Sequence, residues 1–271
     1  MKLVRKTNEP VTLAQFRNAT PNAAWNDMRE DPHFGGMQAY SDCRTQVISD
    51  QGGLCAYCEI DILDNDPLKC RVEHFHPKSD LTGPRNWALD WPNMLGVCNG
   101  GSNPHVAAAG FHLAPLAQNL SCDAHKDRQI QASKLPPVCE GWILNPLTLQ
   151  AFQCLLKISR LNGSIEPDPG ACQAAEPWPN NQHASVVELV QHTIDMLNLN
   201  CDRLKKSRLT VIRDIEQNKK RQRSQGFNGA QGMENLTQYY FRRTWPGFFT
   251  VIRVCLGQAA ENHLQSHAYQ G

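Results

Sequence analysis

The feature that most constrains this chain is a short phrase, Leu54-Cys55-Ala56-Tyr57-Cys58. Two thiols at this spacing converge across a tight turn, as in a zinc knuckle or a redox dithiol. The chain holds 11 cysteines in 271 residues, an odd number. Its first residues, MKLVRKTNEPVTLAQF, are basic but contain no apolar core of the kind an export signal needs, so a cytoplasmic protein is expected. There, an odd count argues against a disulfide framework and for free thiols plus a metal site. The redox reading of Cys55 and Cys58 is the weaker one, because no βαβ pattern surrounds them.

Zinc demands four ligands. Cys98, in Gly96-Val97-Cys98-Asn99, and Cys122, in Leu120-Ser121-Cys122-Asp123, are the best partners, since both flank loop-like sequence. Cys70 stands at the entry to an apparent strand and ranks lower. His105 and His112, between Cys98 and Cys122, are alternative ligands. Cys43, Cys139, Cys154, Cys172, Cys201 and Cys255 are scattered and read as small buried apolar residues.

Between the two cysteine pairs lies Arg71-Val72-Glu73-His74-Phe75-His76-Pro77-Lys78, where a short strand ends in an acid and a histidine. A lone histidine is more often structural than catalytic. A Glu-His pair inside a zinc-held scaffold reverses that, because imidazole can take a proton near neutral pH. A neighbouring carboxylate can hold a hard divalent cation. Asn93 follows in Asp90-Trp91-Pro92-Asn93. After Cys122, Asp123 and Asp127 would share a helix face at i, i+4 and could return a metal-binding edge towards Glu73 and His74.

Three stretches emerge. Residues 1–50 read as a helical docking segment, with a helix over Met37–Asp50 ended by Gly52 and Gly53. Residues 51–150 are rich in Cys, His, Pro, Gly and Asn, and need something besides a large apolar core, such as a metal. Residues 151–271 turn helical again. Ser185 and Glu188 read as a capping box ahead of Val186, Val190, Ile194 and Leu197. Asn200 restarts a helix with Leu204, Val211, Ile212 and Ile215 at core spacing. Leu161-Asn162-Gly163-Ser164 is a turn expected to join two strands, and Pro167 to Asn181, with four prolines, reads as a loop.

The net charge is +1, which alone argues weakly against a nucleic-acid partner. It is unevenly spread. Cys201 to Arg223 holds nine Lys/Arg (Arg203, Lys205, Lys206, Arg208, Arg213, Lys219, Lys220, Arg221, Arg223) against Asp202, Asp214 and Glu216. This is either a solvated helix face or a surface for phosphate or a docking protein. No apolar run approaches the ~20 residues that cross a bilayer, so no membrane contact is expected.

Taken in order, Cys-x-x-Cys, Glu-His, Asn, Cys and Cys resemble an HNH endonuclease of the ββα-metal type with a structural zinc. The phrases LCAYCE, VEHFHPKS, LDWPNML, LNPL and LNLNCDRLKKSR resemble, more narrowly, the HNH component of Septu and retron-associated antiphage defence systems. The resemblance runs from MKLVRK to PGFFTVIR. It implies a mainly helical α+β chain, with a zinc-stabilised ββα-metal nuclease core at 51–150 between helical flanks. It implies that His74 is the general base, that Glu73 helps hold a catalytic Mg²⁺-type ion, and that Asn93 orients the base or its loop. The residue directly after the last zinc cysteine is commonly Asn or His. Here it is Asp123, which leaves Asp123, His125 and Asp127 open as helix ligands. Phosphodiester bonds of DNA or RNA, including tRNA, would be the substrate. An ABC/SMC-like ATPase, and in retron systems a reverse transcriptase with its RNA–DNA product, would be the partners, docked on the helical flanks. The reading from a different class is a non-catalytic zinc-binding adaptor.

Overall fold

The N-terminal stretch folds as three helices, α1 (Val11–Ala19), α2 (Trp25–Glu30) and α3 (Gly36–Asp50). The computed structural model describes residues 1–63, 69–102, 117–151, 154–242 and 245–269. In α3 the expected helix is present, and Ala39, Cys43 and Val47, one turn apart, are all buried. The chain leaves α3 through Gly52 and Gly53 in left-handed conformations (φ +64° and +76°). A β-carbon at Gly52 would collide with the Trp245 ring, so glycine is required there by packing as well as by φ.

This turn delivers Leu54–Cys58 under a two-stranded antiparallel sheet. Strand β1 (Cys70–His74) pairs with β2 (Met94–Cys98), Cys70 opposite Cys98 and His74 opposite Met94. Buried Gln51 staples the knuckle to β2. Its Nε2 donates to the Leu54 and Gly96 carbonyls (both 2.7 Å), and its Oε1 accepts from Gly96 N–H (2.7 Å). Helix α3 lies against β2, and helix α4 (Cys122–Gln131) packs on it too.

The C-terminal stretch holds a second antiparallel pair, β3 (Leu156–Ile158) and β4 (Ile165–Pro167), joined by the expected turn with Gly163 at φ +73°. The Pro167–Asn181 segment is not wholly a loop, because Pro169–Ala174 forms a short helix, α5. Asp168 caps it by accepting from Ala171 N–H (2.9 Å), and Pro169 sits in its first turn, where a missing N–H costs nothing. In α6 (Val186–Met196), Ser185 accepts from Glu188 N–H (3.2 Å), but Glu188 reaches back to Ala184 N–H rather than to Ser185. Helices α7 (Asp202–Ser224), α8 (Gly229–Tyr240), α9 (Phe249–Leu256) and α10 (Gln258–Ser266) complete the chain. Ile212, Ile215, Leu236, Val251, Ile252 and Leu256 form a core among them.

The result is a mostly helical α+β molecule with two small sheets among the described residues. One apolar core runs from Val4 to Leu204, through all three stretches. They also meet at one carboxylate. Buried Glu59 accepts from Thr250 N–H (2.7 Å) and lies 3.1 Å from the N-terminal ammonium. Two members of the basic run in α7, Arg203 and Arg208, are buried and not part of a charged surface. Arg208 donates to the Leu199 (2.5 Å) and Gly163 (3.1 Å) carbonyls. No helix among the described residues is long and apolar enough to cross a membrane.

Candidate functional site

Cys55 and Cys58 come from the knuckle turn, Cys98 ends β2, and Cys122 opens α4. Their four sulfurs lie within 4.8 Å of one another, all buried. Cys55 Sγ is 3.9 Å from Cys122 Sγ, and Cys58 Sγ is 3.7 Å from Cys98 Sγ. A tetrahedron built on Zn–S bonds of ~2.3 Å has edges of about 3.8 Å, so the group has the size and donor chemistry of a structural zinc site. Backbone strain closes it. Cys122 stands at φ +56° and Gly100 at +65°, where a β-carbon would run into the Ser121 carbonyl. Burial pushes the Cys58 and Cys122 thiols well up, so a bound cation is what would ionise them. Arg203 supplies positive charge beside Cys98 and Cys58 and donates to Ser121 Oγ (2.5 Å). Cys70 stays outside the group, and His105 and His112 lie outside the described residues. None of the 11 cysteines forms a disulfide, and the remaining scattered cysteines are buried except the half-buried Cys154.

At the end of β1, Glu73 and His74 point into protein and are 9% and 7% exposed. His74 Nε2 lies 3.0 Å from the Ala88 carbonyl. A carbonyl can only accept, so Nε2 carries the hydrogen and Nδ1 keeps the lone pair. The Trp25 ring meets the imidazole edge-on at 4.7 Å. Burial lowers the His74 pKa to about 4, so the ring is neutral at physiological pH.

Helix α4 brings a second carboxylate to Glu73. Asp123 is 4% exposed and pairs with Arg71 Nε at 3.0 Å. Its pKa is pushed well up, first by burial and then by Glu73 beside it. Asp127, one turn on and more exposed, is raised by burial and by Glu73. Lys126 projects between them, with Nζ 2.5 Å from Glu73 Oε1 and 3.4 Å from the Phe75 carbonyl. Burial would raise Glu73, but the Lys126 ammonium overrides it and holds the carboxylate down. His125 turns elsewhere, with its Nε2 2.8 Å from Gln129 Nε2.

Asn93 is 5% exposed and clips the loop that follows His74. Its Oδ1 accepts from His76 N–H (2.7 Å), and its Nδ2 donates to the His76 (3.0 Å) and Trp87 (3.1 Å) carbonyls. The Asn93 carbonyl accepts from Phe75 N–H (3.0 Å). The His76 ring lies between Glu140 and Asp80, 2.8 Å from each, and stacks on Trp87. The structure thus gathers Glu73, Asp123 and Asp127 at the β1–α4 junction, holds the adjoining His74 ring against Trp25 and the Ala88 carbonyl, and sets Asn93 behind the loop. Sequence reasoning missed Lys126, Arg71, Trp25 and the His76–Glu140 contact. Lys126 sat in plain view between two acids, but no local rule distinguishes a buried lysine from a surface one.

No protein-family model matches the chain. It is 35% identical over 214 residues to the "Retron Ec83 putative HNH endonuclease" of Escherichia coli, covering 78% of this chain and 79% of that protein. The chain belongs to the HNH endonuclease family. It is therefore a nuclease, a hydrolase of phosphodiester bonds. In this HNH endonuclease the four-cysteine group fits structural zinc by donor type and spacing. The Glu73–Asp123 pair fits a hard divalent ion by its chemistry. Burial and Glu73 oppose the ionisation of Asp123, and one cation between the two carboxylates would relieve that cost.

Proposed function

We propose that the β1–α4 junction is the catalytic centre and that β1, β2 and α4 form its ββα-metal core. In this reading His74 is the general base, and Glu73 with Asp123 and Asp127 holds a Mg²⁺-type ion. The observation that carries it is the pairing of a neutral imidazole, with a free Nδ1 lone pair, and a buried carboxylate cluster on the adjoining residue and helix.

The residues divide the work. The Ala88 carbonyl and Trp25 fix the imidazole, so Nδ1 can receive the proton of an attacking water without reorienting. Asn93 holds the loop that begins at Phe75 and so keeps His74 in register with β2. Lys126 and Arg71 offset charge on the carboxylates. The divalent ion, when bound, supplies charge stabilisation to the scissile phosphate and leaving oxygen. The zinc, with four thiolates, has no open position and serves the fold.

We further propose that the nuclease acts as the effector of a retron-associated antiphage defence system related to Septu. The relative's name supports the retron context. An ABC/SMC-like ATPase, and a reverse transcriptase with its RNA–DNA, would be its partners, docked on the segments 1–50 and 151–271. DNA or RNA, including tRNA, is the substrate class. Membership of a nuclease family favours this over the zinc-binding adaptor. The test is His74→Ala. It should abolish cleavage and defence while zinc content and complex assembly stay as in wild type. Retained cleavage would refute the assignment.

A further inference from the structure

Opposite its apolar seam, α7 carries an exposed row of polar residues. Lys206, Thr210, Arg213, Gln217, Lys220 and Ser224 recur at alternating four- and three-residue steps, which keeps them on one line. The same helix turns Leu204, Ile212 and Ile215 inward. Arg221 flanks the row and is also exposed. From Lys206 to Ser224 the row is about 27 Å long, at ~1.5 Å per residue.

There is no acid on it. The acids of α7 are engaged on its borders: Asp202 with Lys205 (3.0 Å), Glu216 with Lys219 (3.0 Å) and Arg160 (3.4 Å). Asp214 accepts from the Tyr240 hydroxyl (2.6 Å) and from Asn218 (3.2 Å). Lys206, Arg213, Lys220 and Arg221 make no ion pair among the described residues. Three cations in line, with Arg221 beside them, outnumber Asp214, the one acid of α7 outside an ion pair, and form a strip of positive potential that attracts a linear polyanion. The strip also has a fixed origin. Arg203, in the first turn of α7, bonds Ser121, the residue that precedes α4. The row therefore begins beside the helix that bears Asp123.

We propose that this row is a rail for the phosphate backbone of the nucleic acid on which the nuclease acts. The inference rests on the nuclease reading of the chain, but not on which residues cut. Its recognition is by charge, so it is independent of base sequence.

The test uses the full zinc-loaded chain without added divalent ion. Its probe is a fluorescein-labelled mixed-sequence DNA duplex of about 30 base pairs, followed by anisotropy across roughly 50–200 mM KCl. The triple variant Lys206→Gln, Arg213→Gln, Lys220→Gln should bind at least about tenfold more weakly, with a log–log salt slope shallower by about 2–3, since each lost phosphate contact removes ~0.9. The reverse variant, Thr210→Lys with Gln217→Lys, adds two cations to the same line. It should tighten binding and steepen the slope by about 2, a gain that misfolding cannot mimic. Affinity and slope unchanged in both variants, or no binding by the wild type, would overturn the rail. The catalytic assignment fails differently. If it alone is wrong, His74→Ala still cuts while the row variants still lose binding.

Discussion

Asn93 offers the sharpest test of how this site is built. Its side chain makes three hydrogen bonds to the loop beyond β1, of 2.7, 3.0 and 3.1 Å, and all three partners are backbone groups of His76 and Trp87. Asn93→Ala removes all three. A buried backbone group left unpaired costs about 1–3 kcal/mol, so the expected loss is roughly 3 kcal/mol or more. Asn93→Asp has nearly the same shape and keeps the acceptor for His76 N–H. It replaces the donating NH₂ with an oxygen facing two carbonyl oxygens and buries a charge. At pH 8 it should therefore be at least as destabilised as Asn93→Ala, with part of the loss recovered as the pH falls and the new carboxyl becomes a donor. Urea denaturation of zinc-saturated protein measures this, as a shift in midpoint at constant slope. On the proposed assignment, a loop shift of about 1 Å at His74 also lowers cleavage by roughly 10²-fold in both variants. An Asn93→Asp protein as stable as wild type, or clearly more stable than Asn93→Ala at pH 8, would refute the reasoning.

Three further outcomes are expected. Cys98→Ser should lose the metal and unfold much of the chain's middle, because binding free energy at a four-thiolate site is folding free energy. Zinc content by elemental analysis and loss of the cooperative transition check this, and a zinc-free but fully folded variant would contradict it. Gln51→Leu leaves the Leu54 carbonyl and Gly96 N–H unpaired, while the Gly96 carbonyl keeps its bond from Ala56 N–H (3.0 Å), so it should cost about 2–4 kcal/mol by the same denaturation assay. Lys6 packs over Trp91 and donates to the Met94 carbonyl (3.0 Å), and burial lowers its pKa to about 7. The unfolded chain, with an ordinary lysine, binds more protons between about pH 7 and 10, so this group makes stability rise with pH in that window and contributes no slope below it. Lys6→Met should flatten the profile by at most about 1.4 kcal/mol per pH unit, and an unchanged slope would show that Lys6 is not the source.

The parts of the molecule legible in the sequence are those whose physics is local. A Cys-x-x-Cys turn can bring two thiols together only one way, and zinc chemistry then asks for two more. Cys98 and Cys122 answer in the fold as expected. Helices with caps and apolar spacing, such as α3 and α6, and the turn at Gly163, also follow from a few neighbouring residues. Where two local rules competed, one was missed: proline content marked 167–181 as loop, while Asp168 and Pro169 start a helix there.

What the tertiary structure alone decided is the environment of each charge. Arg203 and Arg208 look like members of one basic face with Lys206 and Arg213, but the first two are buried against the four-cysteine group and the Gly163 turn, and the others face water. Lys126 looks like a surface lysine among acids, yet it is the buried counter-charge of Glu73. His74 looks like an ordinary imidazole, yet its burial against Trp25 and the Ala88 carbonyl selects its tautomer and lowers its pKa. The electrostatic free energy of a side chain depends on which distant segments displace its water, and no local sequence window contains that.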